Sequence, residues 1–185
     1  VWISPFFKSP QKDFGYDVAD YRKVDKLFGS NDDFKKLLDI FHNKNLKVIT
    51  DLVLSHTSDE NEWFKKSKGS KENKFSDWYV WQDGRPDIAP NNWLSVFGGS
   101  SWQWHENREQ YYLHNFLTSQ PDLNFHNEEV QNQMLEEIEY WLEIGVDGFR
   151  FDVINFLFHD KELRNNPSKD PKFVRPLGFN KDNPY

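Results

Sequence analysis

An arginine and an aspartate, Arg150 and Asp152, stand inside the otherwise apolar run GVDGFRFDVINFLF at 145–158. Burying an ionised carboxylate is expensive unless something pairs with it. A chain that tolerates the cost either pairs the two charges structurally or uses them. Two more polar clusters follow apolar runs. Asp13, Tyr16 and Asp17 lie in DFGYD, and Asp51 and His56 lie in DLVLSH. Aromatics amount to 17 % of the residues, with eight Trp, and many sit among polar side chains, as in NNWLSVFGGSSWQWHENREQYYLHNF. One reading is a core built from large side chains. The other is a site that sets flat apolar faces beside hydrogen-bonding groups, an arrangement suited to sugars.

Each polar cluster needs an element to aim it. VWISPFF reads as a buried strand ending at Pro5, followed by a loop over 8–30. Asn31 is a good helix cap, with Phe34, Leu37, Leu38 and Phe41 behind it at helical spacing. LKVITDLVL at 46–54 reads as an apolar run broken by Asp51, the pattern of a strand buried on both faces in a parallel sheet. Periodicity is lost from Ser55 to about Phe125, a stretch too long for a plain loop. Asn127 caps a helix whose apolar face is Val130, Met134, Ile138, Trp141 and Leu142, and Gly145 ends it. VDGFRFDVI is the next strand, and Glu162 lies on what reads as a helix after it.

Strand, helix, strand, insertion, helix and strand alternate as βα units of a parallel sheet do. The fold class is therefore α/β, a partial parallel sheet with an inserted subdomain, for which part of a (β/α)8 TIM barrel is the simplest completion. Residues 1–55 and 126–185 form the barrel parts and 56–125 the insertion. Functional residues of such barrels gather at the C-terminal ends of the strands. The three polar clusters would then converge on one pocket. The sequence opens directly in a strand-like run and closes in loop-like FVRPLGFNKDNPY, so an internal piece of a longer protein is expected.

The totals exclude several classes. A net charge of −7 argues against a nucleic-acid partner. No run approaches the roughly 18 apolar residues of a membrane span. The absence of cysteine removes disulfides and thiolate metal sites, and fits a cytoplasmic, reducing location without requiring one.

Four motifs in order resemble the α-amylase superfamily of glycoside hydrolases, in particular its α-glucosidase branch, over essentially the whole chain. GFRFDVINF is similar to the strand-four motif of form G-x-R-x-D, and DLVLSHTSDE resembles the strand-three motif with its terminal His. QPDLNF at 120–125 resembles the short motif near the end of the inserted domain. SPFFKSPQKDFGYDVADY is similar to the strand-two segment of oligosaccharide-acting members, and FLFHDKELRNNP looks most like bacterial α-glucosidases. The resemblance implies a retaining glycosidase acting on short α-glucosides, with no required cofactor. Asp152 matches its catalytic nucleophile. Arg150 matches the residue that keeps the nucleophile ionised, since a nearby cation lowers a carboxylate's pKa. His56, Asp13 and Tyr16 match groups that hold the sugar beside the nucleophile. Phe97, Phe116 and Gln120 match the pocket lining. Asp51, Asp17 and Asp122 are read as supporting carboxylates.

There are departures. The acid/base Glu on strand five and a His-Asp pair after strand seven match nothing in this chain, and Glu162 is assigned nothing. Ser55 stands where many relatives carry an Asn that is a calcium ligand in α-amylases. Calcium, possible in the parent protein, is therefore not assigned to any residue here. Val153, next to the nucleophile, accompanies α-1,6 activity in the branch, where Ala or Thr accompanies α-1,4 activity. Two rival readings remain: a sucrose or maltose isomerase or transglycosylase on the same scaffold, and a catalytically silent ectodomain of an amino-acid transporter heavy chain.

Overall fold

A computed structural model describes residues 1–167. The reading of 173–185 as loop, and the end of the 126–185 portion, lie outside the described residues. The first run is not one buried strand. β1 (Trp2–Ile3) and β2 (Phe7–Lys8) are separate, divided at Pro5, which has no N–H to give to a ladder. Trp2 on the outer strand is 52 % exposed. Phe6 and Phe7 turn inward, their rings 5.2 and 5.4 Å from the indole of Trp141. β2 pairs antiparallel with β3 (Asp20–Val24) inside the stretch expected as loop. Tyr21 is the one buried residue of β3, so no alternation announces it.

α1 (Asn31–His42) starts one residue earlier than expected. Ser30 is the cap, and its hydroxyl and the Asp33 carboxylate satisfy each other's backbone N–H. Asn31 ties the helix to β3 instead: its amide accepts from Val24 N–H (2.9 Å) and donates to the Arg22 carbonyl (2.7 Å). β4 (Ile49–Val53) is buried from Thr50 to Val53, as its largely apolar run requires, and it takes Thr50 and Asp51 into the interior with it.

The aperiodic stretch then builds its own small unit. α2 (Glu62–Gly69) is capped by Asn61. β5 (Trp81–Asp83), β6 (Trp102–His105) and β7 (Gln110–Leu113) form an antiparallel sheet in the order β5-β7-β6. Its core is Val80, Trp93, Trp102, Tyr111 and Leu113, so many of the aromatics are packing. This unit is stitched to the end of β4 by backbone bonds from Thr57 to Pro121 (3.2 Å) and Leu123 to Ser55 (2.9 Å).

α3 (Glu128–Ile144) begins at the Asn127 cap and ends at Gly145, whose φ of 115° suits glycine. Val130, Met134 and Trp141 are buried as expected, but Leu142 is 46 % exposed. One residue past Trp141 is a quarter-turn off the face. Glu137 takes a buried position because Arg22 reaches it at 2.8 Å. β8 (Gly148–Asp152) follows. β1, β4 and β8 form a parallel sheet in the order β1-β4-β8, with Asp51 beside Arg150 and Val53 beside Asp152. Beyond β8 come a 3-10 turn (Ile154–Phe156) and an irregular segment with a turn at 161–162. Glu162 sits in a turn, not on a helix, and is exposed.

Candidate active site

The parallel register does the first piece of positioning. Alternate residues of a strand share a face, so Arg150, Asp152 and the Asp51 opposite Arg150 all point the same way. Arg150 Nη1 donates to both oxygens of Asp51 (3.0 and 2.7 Å) and lies 2.7 Å from Asp152 Oδ1. Asp51 is fully buried, while Asp152 keeps a small exposed part. Burial pushes the Asp152 carboxyl above its ordinary value, Arg150 pulls it down, and the Asp51 charge pushes it up again. The net direction is upward, against the expectation from the arginine alone. One cation shared between two carboxylates does not offset the burial. For Arg150 burial acts downward, but the hydrogen bond to Asp51 and the charges of Asp51 and Asp152 raise it.

The DFGYD turn delivers Asp13 and Tyr16. Tyr16 N–H closes it on the Asp13 carbonyl at 2.9 Å. Phe14 and Gly15 both have positive φ, 50° and 100°. A Cβ at Gly15 would come within 2.9 Å of the Pro5 carbonyl oxygen, so only glycine fits there. Asp17 is buried beneath the turn and accepts from Ser9 Oγ (2.8 Å) and from the amides of Lys12 (2.9 Å) and Asp13 (3.1 Å). It is a support, as read. Tyr16 donates its hydroxyl to Asp51 Oδ2 at 3.2 Å, which joins this loop to the charged trio.

A second network fixes His56. Gln120 Oε1 accepts the Leu117 N–H at 3.0 Å, so its Nε2 is turned toward Asp13 Oδ2 (2.8 Å) and His56 Nε2 (3.2 Å). An amide nitrogen only donates. His56 Nε2 must then accept, and its Nδ1–H donates to Ser55 Oγ at 2.8 Å. Burial lowers His56 to about 4, against the opposing pull of the Tyr16 backbone, so the ring is neutral at pH 7. Burial raises Asp13; the Gln120 hydrogen bond opposes this, and the charges of Asp17 and Asp152 add to it. Gln120 is wholly buried with its amide fully engaged.

Aromatic rings wall this cluster. Phe116 lies 4.9 Å from the His56 ring, 6.0 Å from Phe97 and 5.2 Å from Phe156. Phe97 is 58 % exposed. Of the residues matched to the nucleophile and the sugar pocket, Asp152, Arg150 and Tyr16 thus share one network, Asp13, His56 and Gln120 the other, and Phe116 and Phe97 stand in the wall beside them. Three members were not foreseen in their places: Asp51 as the partner of Arg150, Ser55 as the partner of His56, and Phe156 in the wall. Asp51 depends on a register between strands about a hundred residues apart, which no local signal carries. A cleft of about 520 Å3 lined by Lys12, Asp59, Tyr112, Thr118 and Ser119 contains none of the charged trio.

The donor set does not fit calcium. That ion takes six to eight oxygens, whereas Ser55 Oγ is engaged by His56 and the nearby Asp122 is engaged by Asn115. Burial holds Asp122 well above the usual carboxylate range; one of its oxygens accepts from Asn115 and the other has no partner. Among the described residues no three His, Asp or Glu side chains are grouped to hold a metal ion. Nor is any described helix long and apolar enough to cross a membrane.

Residues 1–184 match the family model described as "Alpha amylase, catalytic domain". The chain is 57 % identical over 186 aligned residues to a probable alpha-glucosidase of Rhizobium meliloti, covering all of this chain and 34 % of that protein. It is 49 % identical over 169 residues to an oligo-1,6-glucosidase of Heyndrickxia coagulans, covering 88 % of this chain and 30 % of that one. Among solved structures, the alpha-glucosyl transfer enzyme XgtA superposes with a TM-score of 0.89 at 61 % identity, over 91 % of this chain and 32 % of that one. The chain spans about a third of the length of the curated relatives it matches.

Proposed function

The chain belongs to the alpha-amylase family, and from that membership we propose that it carries the nucleophile half of a retaining α-glucosidase. In this reading β1, β4 and β8 are strands two to four of a (β/α)8 barrel, and the antiparallel unit is the domain inserted after strand three. The observation that carries it is the meeting of Asp152 and Arg150 with Tyr16, Asp13 and His56 at one end of the parallel sheet.

Asp152 attacks the anomeric carbon of a terminal α-glucoside as a carboxylate. The bond to the leaving oxygen breaks, a general acid gives that oxygen a proton, and a covalent glycosyl-Asp152 ester remains. Water deprotonated by the same acid/base then releases glucose with retained configuration. Retention requires the second carboxyl roughly 5 Å from the first; no residue of this chain is assigned that role. Arg150 orients Asp152 and limits the rise in its pKa. Asp13 and His56 hold sugar hydroxyls, Tyr16 offers a ring face, and Phe97 and Phe116 line the pocket. Gln120 acts by aligning Asp13 and His56. In this reading the chain by itself is inactive, and the sheet of the described residues, whose outer strands β1 and β8 are each paired on one side, is prone to associate.

Full-length protein supplied with maltose and isomaltose should release glucose first as the α-anomer, followed by NMR. Asp152→Asn should lose about 10³-fold or more in kcat. Initial release of the β-anomer, or an active Asp152→Asn protein, contradicts the proposal. No turnover by the unmodified protein favours a silent relative. A second reading, transfer of the glucosyl group to an acceptor hydroxyl, is favoured by the 61 % identity to an enzyme named for that activity. It shares every step up to the ester, and product analysis with sucrose and with added acceptors separates the two.

A further inference from the structure

The segment that leaves Asp152 is held at both ends, and its far end is held by the inserted unit. Near Asp152, Val153 takes a left-handed φ of 40° and starts the 3-10 turn, which places Phe156 against Phe116. In the middle, the His126 ring reaches the His159 carbonyl at 2.7 Å, and the buried Asp160 carboxylate grips Arg164 at 2.8 and 2.9 Å. At the far end, Asn92 Nδ2 donates to the Asn166 carbonyl (3.0 Å) and Asn92 Oδ1 accepts the Asn166 N–H (2.8 Å). One side-chain amide thereby pairs with a backbone peptide as a neighbouring strand would. Asn92 N–H also donates to Asn165 Oδ1, and Asn91 Nδ2 to the Leu163 carbonyl, both at 3.0 Å.

This matters because the candidate site has two halves. Asp152, Arg150 and His56 come from the parallel sheet and its ends, whereas Phe97, Phe116 and Gln120 come from the inserted unit. The segment 153–166 spans both, and Phe156 is where it touches the wall. We infer that Asn92 is a positioning residue for the sugar site: by clasping Asn166 it fixes the segment after the nucleophile against the inserted unit and so sets the Phe156–Phe116 wall over His56. The inference rests on the function proposed above. Asn92 touches no reacting atom in it. A purely structural staple would change melting temperature alone, whereas a positioning clasp changes how well the sugar is held.

The test uses the full-length protein with Asn92→Ala and Asn92→Asp. Asn92→Ala removes both side-chain bonds. Each is worth enough that losing the pair should raise KM for a disaccharide about tenfold, with kcat within about twofold. Asn92→Asp keeps the acceptor for the Asn166 N–H and loses the donor, so its KM should fall between. Hydrogen exchange without substrate should speed up at the Asn166 and Phe156 amides in Asn92→Ala. KM unchanged within about twofold overturns the inference, even with a lower melting temperature, as does unaltered exchange at Phe156. If the unmodified protein turns over no α-glucoside, the functional reading fails separately, and exchange at Phe156 decides the clasp alone.

Discussion

Asp152 shows how one residue's environment sets a pH limb. In the proposed mechanism it attacks as a carboxylate and so must be ionised, and its pKa is raised mainly by burial. Activity should therefore grow as pH rises through a value above the usual carboxylate range. The Arg150 guanidinium pulls that pKa downward, so Arg150→Leu should move the acid limb of kcat/KM to higher pH, and Arg150→Lys should move it less. A limb that stays put in both variants removes Arg150 from the electrostatics of the site. Val153 stands next in the chain with a left-handed φ, an uncommon conformation for a β-branched residue. Val153→Thr keeps the branching, so backbone strain is unchanged and only a methyl becomes a hydroxyl. The ratio of kcat/KM on isomaltose to that on maltose should fall; an unchanged ratio discards Val153 as a determinant of linkage. Much of this scale was legible in the sequence, because Asp13, Tyr16, His56, Arg150 and Asp152 lie in compact motifs. The use of Gln120 was not, since only the Leu117 N–H decides which way its amide faces.

At the scale of elements, α1, α3 and the two long parallel strands were readable, whereas α2 and the short strands were not, and the helix expected around Glu162 is a turn. α3 announces itself through a cap, a periodic apolar face and a terminal glycine. β3 has a single buried residue, and β5 to β7 are three or four residues long, too short for a period to register. The start of α1 offers a direct comparison. Ser30→Ala should lower stability by about 1 kcal/mol, the usual worth of a cap with its box. Asn31→Ala should act by another route, loosening α1 from β3 where its amide bridges Val24 and Arg22. Hydrogen exchange separates the two: Ser30→Ala should release the Asp33 amide, and Asn31→Ala the Val24 amide. Identical exchange patterns would contradict the observed cap.

On the scale of the whole molecule, the alternation of elements indicated a parallel sheet with an insertion, and the described residues form a three-stranded sheet of that kind. What stayed illegible was the joining of its parts: the Asp51–Arg150 register, the stitching of 55–57 to 121–123, and the clasp of 163–166 on 91–92. Each pairs residues far apart in sequence through contacts that leave no local period. The same burial that organises the site should make the fold sensitive to acid. His56 and His159 are both lowered to about 4 by burial, so below pH 6.5 the unfolded chain binds protons that the folded one refuses. Stability should fall as pH drops from about 6.5 toward 4. His159→Phe should flatten part of that slope in melting temperature against pH, and an unchanged slope would show that His159 does not carry it.

In the proposed mechanism Asp152 is the carboxylate that bonds to the sugar. Full-length protein treated with an activated fluoroglucoside that leaves the ester slow to hydrolyse should gain one glycosyl unit. Peptide mass spectrometry should find that unit on Asp152, with none in Asp152→Asn. Labelling at Asp13 or Asp51 with Asp152 unmodified would contradict the account.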